Sequence, residues 1–315
     1  MMKLVRGCSP AQRHSAARYY EPSGAAAPHD WSYRTQLQAA DKRNATMASF
    51  RFDFGAAGAA AAPVPAPATA TASASSPQHS TDVLRPVTRV HAFVEDFPDA
   101  GPPATRRVEA GGESFELVVA AASRVVEAGV YEGGVELWEC ALDLVEWLAA
   151  HRVASGATIL ELGCGRGLPG LWCLRRGARR IVFSDYDPDV LQRYTRLDAA
   201  RVSVGKSRFY GGDWRGLPAA LREDGFGKFD LILSAETAYR EDTTRSLVEC
   251  IADTLSARGE AIVATKRYYF GCGGGVATLE AEVGRFDRLC CEVVWSAEDG
   301  RSNVRDIVRL FWRGE

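Results

Sequence analysis

The sequence predicts an α/β fold: a doubly wound, mostly parallel sheet that closes in an antiparallel hairpin. Three observations carry this. From Val135 onward, short apolar runs alternate with stretches of helical period, the pattern of repeated β-α units. The first such run, "ATILELGCG", passes directly into a glycine turn. The last two runs, "LCCEVVW" and "VRDIVRLFW", are joined by "SAEDGRSN", too short for a parallel crossover, so they pair antiparallel.

The chain has 315 residues, of which 46% are hydrophobic and 25% charged, as in globular proteins. Its net charge of −2 lacks the basic footprint of a nucleic-acid binder, and no apolar run approaches the ~20 residues that span a bilayer. The eight cysteines show no CxxC or Cys/His spacing that points to zinc, so reduced thiols and no metal site are expected.

Residues 1–81 read as a disordered extension ending in a linker. From Gly55 to Pro77 the chain is almost entirely Ala, Gly, Pro, Ser and Thr, which cannot bury enough apolar surface to offset its ordering entropy. Met1–Tyr20 carries Lys3, Arg6, Arg13 and Arg18 without an acid. This is the composition of a transit peptide, but the amphipathic repeat is missing, and an extension without function is the favoured reading. Residues 82–129 form a segment expected to pack on the core. In it "DVLRPVTRVHAFVEDFP" has loop and short-strand features, while "FELVVAAASRVVEAG" fits helix and strand equally.

The third region, 130–315, holds the patterned elements. In "ELWECALDLVEWLAAHRV", Leu137, Ala141, Leu144, Val145 and Leu148 form an apolar stripe of helical period. "ATILELGCG" is the first strand, "GLWCLRRG" opens a helix, "RIVFSDYD" is the second strand and "DVLQRYTRLDAARV" the next helix. "SRFYGGDW", "FDLILSAET" and "EAIVATKR" give strands three to five, and the hairpin completes seven.

Open sheets of this kind bind cofactors at the carboxyl ends of their strands. Gly163, Gly165 and Gly167 in "ELGCGRG" follow the first strand, with Pro169 at a helix start that tolerates proline. Gly165, Gly167 and Gly170 match the dinucleotide spacing G-x-G-x-x-G, but out of register with the strand end. Glu161, two residues before Gly163, instead gives E-x-G-x-G-x-G, the habit of S-adenosylmethionine sites. Asp185, ending the second strand, suits the ribose hydroxyls. Asp213 suits the adenine amino group, with Trp214 as a wall. Ser234, Glu236, Thr237 and Tyr239 fall at the end of the fourth strand, beside the donor. "ATKRYYFGCGGG" then supplies Lys266, Tyr268, Tyr269 and Phe270 as a shaped loop over the acceptor. No nucleophile or metal constellation appears, in agreement with direct methyl transfer, where positioning dominates.

"GVYEGGVELWEC", "ELGCGRG", "FSDYD", "GDW", "ILSAETAY" and "TKRYYFGCGGG", in this order over Val130–Trp312, resemble the protein-histidine N-methyltransferases, a seven-strand Rossmann-like class. The resemblance implies methylation of a histidine in a protein, with a large-subunit ribosomal protein as the substrate. It implies S-adenosyl-L-methionine as cofactor, with Trp138, Glu161, Gly163, Gly165, Gly167, Asp185, Asp213, Trp214 and Ser234 around it. Glu236, Thr237 and Tyr239 are then catalytic, and Tyr131, Glu132, Lys266, Tyr268, Tyr269 and Phe270 face the substrate. A monomer in cytoplasm or nucleus, without a nucleic-acid or membrane site, is expected. "MASFRFDFG" resembles the start of family members, which suggests Met47 as the natural first residue. Asp187 and Asp198 stand where asparagines are expected, and Tyr268 where histidine is. A lysine methyltransferase of the same fold and a non-enzymatic binding or chaperone-like protein are the alternatives.

Overall fold

The computed structural model describes residues 86–90, 103–119, 133–151, 155–297, 300 and 303–314. The extension, the Ala/Pro-rich linker, "MASFRFDFG", Tyr131 and Glu132 lie outside them.

The strands are β1 (Thr88–Val90), β2 (Thr105–Ala110), β3 (Glu113–Val118), β4 (Thr158–Leu162), β5 (Arg180–Asp185), β6 (Ser207–Gly211), β7 (Phe229–Ala235), β8 (Leu255–Lys266), β9 (Leu289–Ala297) and β10 (Arg305–Trp312). The helices are α1 (Glu139–His151), α2 (Leu168–Arg175), a composite α3 (Pro188–Val190, a π turn Leu191–Thr195, and Arg196–Val202), α4 (Leu217–Glu223), α5 (Glu241–Thr254) and α6 (Val276–Val283). The main sheet runs β1-β6-β5-β4-β7-β8-β10-β9. Strands β6, β5, β4, β7 and β8 are parallel neighbours, and β10 is antiparallel to both β8 and β9. All seven strands expected from the sequence form, including the closing hairpin. An eighth, β1, adds antiparallel at the β6 edge.

The period-two pattern of the buried strands separates two cores. Ile159, Ile181, Phe183, Leu231, Leu233 and Ile262 face one side with Leu144, Leu148, Leu171 and Trp172 of α1 and α2. Leu160, Leu162, Val182, Ile232 and Val263 face the other, with Leu247, Ile251, Leu279 and Val283 of α5 and α6. The first face is also covered by the β2–β3 hairpin, whose Phe115 and Leu117 are fully buried. Helix α1 starts at Glu139, so Leu137 of the expected stripe precedes it.

Because β4 leads to β5 and β6 on one side, while β7 and β8 lie on the other, the crevice at the carboxyl end of β4 is the switch point. Ligands bind at such points in doubly wound sheets. No helix among the described residues is long and apolar enough to cross a membrane.

Candidate active site

The chain leaves β4 through three left-handed glycines, Gly163 (φ 62°), Gly165 (φ 48°) and Gly167 (φ 67°). Protein atoms crowd each of them. A Cβ on Gly163 would stand 2.4 Å from Thr237 Cγ2, one on Gly165 2.8 Å from the Gly134 carbonyl, and one on Gly167 2.9 Å from Phe183 and Thr195. The glycines therefore admit other segments of the chain against the loop. Gly133-Gly134 cross it at Gly165, and a Cβ on Gly134 would lie 3.3 Å from Asp185 Oδ2.

Asp185 is buried (6% exposed). Its Oδ2 accepts the Gly165 amide at 2.8 Å and its Oδ1 the Asp187 amide at 3.0 Å. A carboxylate accepts hydrogen bonds at both oxygens, the chemistry that ribose hydroxyls require. Glu161 is placed differently. It is buried (2% exposed), and its Oε2 accepts the Gly170 amide at 2.8 Å. It is a group that builds the start of α2. Burial, reinforced by nearby Asp185 and opposed by the Gly170 amide, pushes its carboxyl well above the usual range. Asp213 is engaged by Arg215 through both oxygens, at 3.0 and 2.6 Å. Burial alone would raise its carboxyl, but those bonds hold it below the ordinary range. Trp214 lies beside Gly163, and its buried Nε1 has no hydrogen-bond partner.

At the end of β7, Ser234 Oγ donates to the Leu162 carbonyl (2.8 Å) and lies 2.7 Å from Thr237 Oγ1. The pair ties β7 to β4 and leaves the Thr237 methyl over Gly163. Between them stands Glu236, the one non-glycine residue with positive φ (58°) among the described residues. A left-handed conformation at such a residue costs on the order of 1–3 kcal/mol and persists where the surroundings enforce it. Here the Glu236 amide bonds the Ala264 carbonyl of β8 (2.9 Å). Its side chain, 6% exposed, is drawn toward Lys266 Nζ (3.5 Å), and its Oε2 accepts the Tyr269 hydroxyl at 2.6 Å. Glu236 Oε1 is buried without a hydrogen bond; the Lys266 contact is an ion pair too long to be a good one.

Around this carboxylate stand Trp138, whose Nε1 donates to the Gly133 carbonyl (3.1 Å), buried Cys140, and Tyr239, edge-on to Tyr269 at 6.4 Å. Burial and then Glu236 push both the Cys140 thiol and the Tyr269 hydroxyl well above their usual ranges. Tyr269 therefore stays protonated and donates. Of the aromatic run, only Tyr269 turns inward, as the chain leaves β8 into a turn: Tyr268 is 56% and Phe270 81% exposed. Glu139, beside Trp138, points to Arg305 at 3.7 Å.

Asp187, one of the two aspartates standing at an expected asparagine, caps α3 through the Asp189 amide (3.0 Å). The other, Asp198, was missed as a structural group. Fully buried, it pairs with Arg166 of the glycine loop (2.8 Å) and accepts the Val118 amide (2.8 Å). A cavity of about 460 Å³ against the hairpin, lined by Phe115, Leu171, Asp198 and Arg201, shares no residue with the Glu236 group. Among the described residues no cluster of His, Cys, Asp and Glu could hold a metal.

A family profile described as "Lysine methyltransferase" matches residues 123–270. Histidine protein methyltransferase 1 homologs from Dictyostelium discoideum and Mus musculus are 36% and 34% identical, over 58% and 53% of this chain. The α/β region of this chain is similar in sequence to these histidine protein methyltransferase homologs. The matched region spans 59% and 54% of those relatives, a little over half their length. A solved magnesium protoporphyrin IX methyltransferase from Synechocystis, crystallised with SAH, aligns at 15% identity with a TM-score of 0.44, over 55% of this chain and 82% of that one.

Proposed function

We propose that this chain is an S-adenosylmethionine-dependent protein-histidine N-methyltransferase. The observation that carries the reading is Glu236: a buried carboxylate in a strained conformation at the switch point, one oxygen held by Tyr269 and the other accepting no hydrogen bond. Bound S-adenosylmethionine supplies an electrophilic methyl group on a sulfonium. Asp185, a carboxylate at the end of β5, accepts the ribose hydroxyls, and Asp213 with Trp214 lines the adenine side, where the orphaned Trp214 Nε1 can find a partner. Ser234 and Thr237 brace β7 against Gly163 and set the height of the cleft floor.

An imidazole attacks through its unprotonated nitrogen while the other nitrogen carries the proton. The new N–C bond forms as the S–C bond breaks and its electron pair returns to sulfur. Glu236 Oε1 accepts the N–H of the second nitrogen. It fixes the tautomer, orients the ring and stabilises the imidazolium charge that appears during transfer. Tyr269 holds the opposite oxygen so that the carboxylate does not swing. Tyr239 and Trp138 supply the walls, and exposed Tyr268 and Phe270 are placed to meet the substrate protein.

The substrate proposed is a large-subunit ribosomal protein, in cytoplasm or nucleus, bound by a monomer. Its support is the sequence resemblance over Val130–Trp312. Mass spectrometry of ribosomal proteins from cells lacking this chain tests it: loss of one methylhistidine is expected, and an unchanged pattern would rule the substrate out. The chemistry is tested by Glu236→Gln. This variant should bind S-adenosylmethionine as the parent does, melt within a few degrees of it, and lose on the order of tenfold to a thousandfold in turnover. Full turnover on a histidine substrate would remove Glu236 from the mechanism.

A further inference from the structure

We infer that Lys266 is a specificity-determining residue that excludes amine acceptors from the site, a proposal that rests on the methyl-transfer reading above. Its ammonium stands 5.6 Å from the ring centroids of both Trp138 and Tyr269 and 3.5 Å from Glu236 Oε1. Two aromatic faces and a carboxylate make a niche for a cation. A site built for a substrate lysine would leave such a niche open; here the chain fills it with its own lysine.

Two neighbouring features keep that charge in place. Lys266 ends β8 directly opposite Arg305 of β10, so the two side chains share one face of the sheet. Arg305 pairs with Asp143 and Glu139, and Lys266 is the cation paired with Glu236 among the described residues. The Lys266 side chain is also 23% exposed, so its ammonium reaches solvent as well as Glu236.

The consequence for an incoming acceptor is electrostatic. A substrate ammonium would have to sit within a few ångströms of the resident one, in a partly buried place where like charges repel strongly. It would also compete for the carboxylate that Lys266 already faces. An imidazole is largely neutral at pH 7. It meets no such repulsion as it binds, and its N–H can use Glu236 Oε1, which offsets the imidazolium charge that appears only during transfer. Lys266 thus acts on the choice of acceptor and not on the methyl group.

The test compares the parent with Lys266→Met and Lys266→Arg. Each is incubated with methyl-tritiated S-adenosylmethionine and a mixed ribosomal-protein extract, and acid hydrolysates are scored for labelled methylhistidine and methyllysine. The parent and Lys266→Arg should give methylhistidine with little methyllysine. Lys266→Met should bind the donor normally and lower the histidine-to-lysine product ratio by about tenfold or more, the lysine product rising with pH as the acceptor amine deprotonates. An unchanged ratio in Lys266→Met overturns the inference and leaves the histidine reading standing. Methyllysine as the main product of the parent overturns that reading itself. Ligand-observed NMR on the parent saturated with S-adenosylhomocysteine needs no variant: 4-methylimidazole should bind about tenfold or more tighter than butylammonium, and equal binding would overturn the inference.

Discussion

Asp185 and Glu161 are buried carboxylates on neighbouring strands, yet substitution should separate them. Asp185 accepts two backbone amides beside the glycine loop and is proposed to accept the ribose hydroxyls. Asp185→Asn should weaken S-adenosylmethionine binding by about 1.5–3 kcal/mol, the worth of hydrogen bonds to a charged group. Calorimetry giving an unchanged affinity would remove Asp185 from the ribose site. Glu161 should instead report in stability. Its folded pKa is raised by burial, so between the unfolded and folded pKa the native state binds more protons than the unfolded chain. That contribution is complete below the unfolded value of about 4.3 and is lost as pH rises through the folded value. Glu161→Gln keeps a carbonyl for the Gly170 amide and cannot ionise. Its melting temperature relative to the parent should therefore climb from pH 5 to pH 8; a flat or falling difference would mean that Glu161 is an ordinary ionised carboxylate.

Where the Gly133-Gly134 segment crosses the glycine loop, two elements meet backbone to backbone. Gly165→Ala carries two costs there: the left-handed conformation, about 1–2 kcal/mol, and a Cβ 2.8 Å from a carbonyl that cannot rotate away. Gly156 is left-handed too (φ 75°) but has nothing within 4 Å of its Cβ position, so Gly156→Ala should cost the first term alone. Urea unfolding of both variants isolates the crossing, and equal losses would show that the segment does not press on the loop. The glycine pair before the apolar stripe is visible in the sequence, but its contact with Gly165 is not, because 31 positions separate Gly134 from Gly165. The parallel strands were legible because each is a short apolar run bounded by turn residues. The β2–β3 hairpin was not, although its signal was present: Gly111 and Gly112, both at positive φ, form the two-residue turn that joins paired strands. The apolar "FELVV" beside "AAASRVV" obscured it. Strand β1 has three residues, largely exposed, too short for any periodicity to show. In the site, Asp185, Asp213 and Glu236 were readable as strand-end acids. The pairings Arg166–Asp198 and Lys266–Glu236 were not, since residues 32 and 30 positions apart meet only through the sheet order.

The whole molecule bears on the site through α1, which carries Cys140 and the preceding Trp138 into the Glu236 group. That helix is fastened to the far end of the chain. Arg305 of β10, 1% exposed, bonds Asp143 of α1, 5% exposed, across 162 positions of sequence. Replacing a buried ion pair with apolar groups is often nearly neutral, whereas removing one partner strands the other charge. Asp143→Asn leaves the Arg305 guanidinium buried without the Asp143 charge, with Glu139 farther off at 3.7 Å. It should cost about 3–5 kcal/mol in urea unfolding, while the joint change Asp143→Leu with Arg305→Met should recover most of that loss. The catalytic consequence is distinct. Asp185 and the glycine loop hang on β4 and β5, away from this tie, so donor affinity measured under folded conditions should fall much less than turnover in Asp143→Asn. Turnover on histidine should fall, because Trp138 and Cys140 ride on the loosened helix. Loss of donor affinity in step with turnover would show that α1 supports the cofactor cleft as a whole. A stability loss below about 1 kcal/mol would show that the pair is solvated and that α1 is held by its apolar face alone.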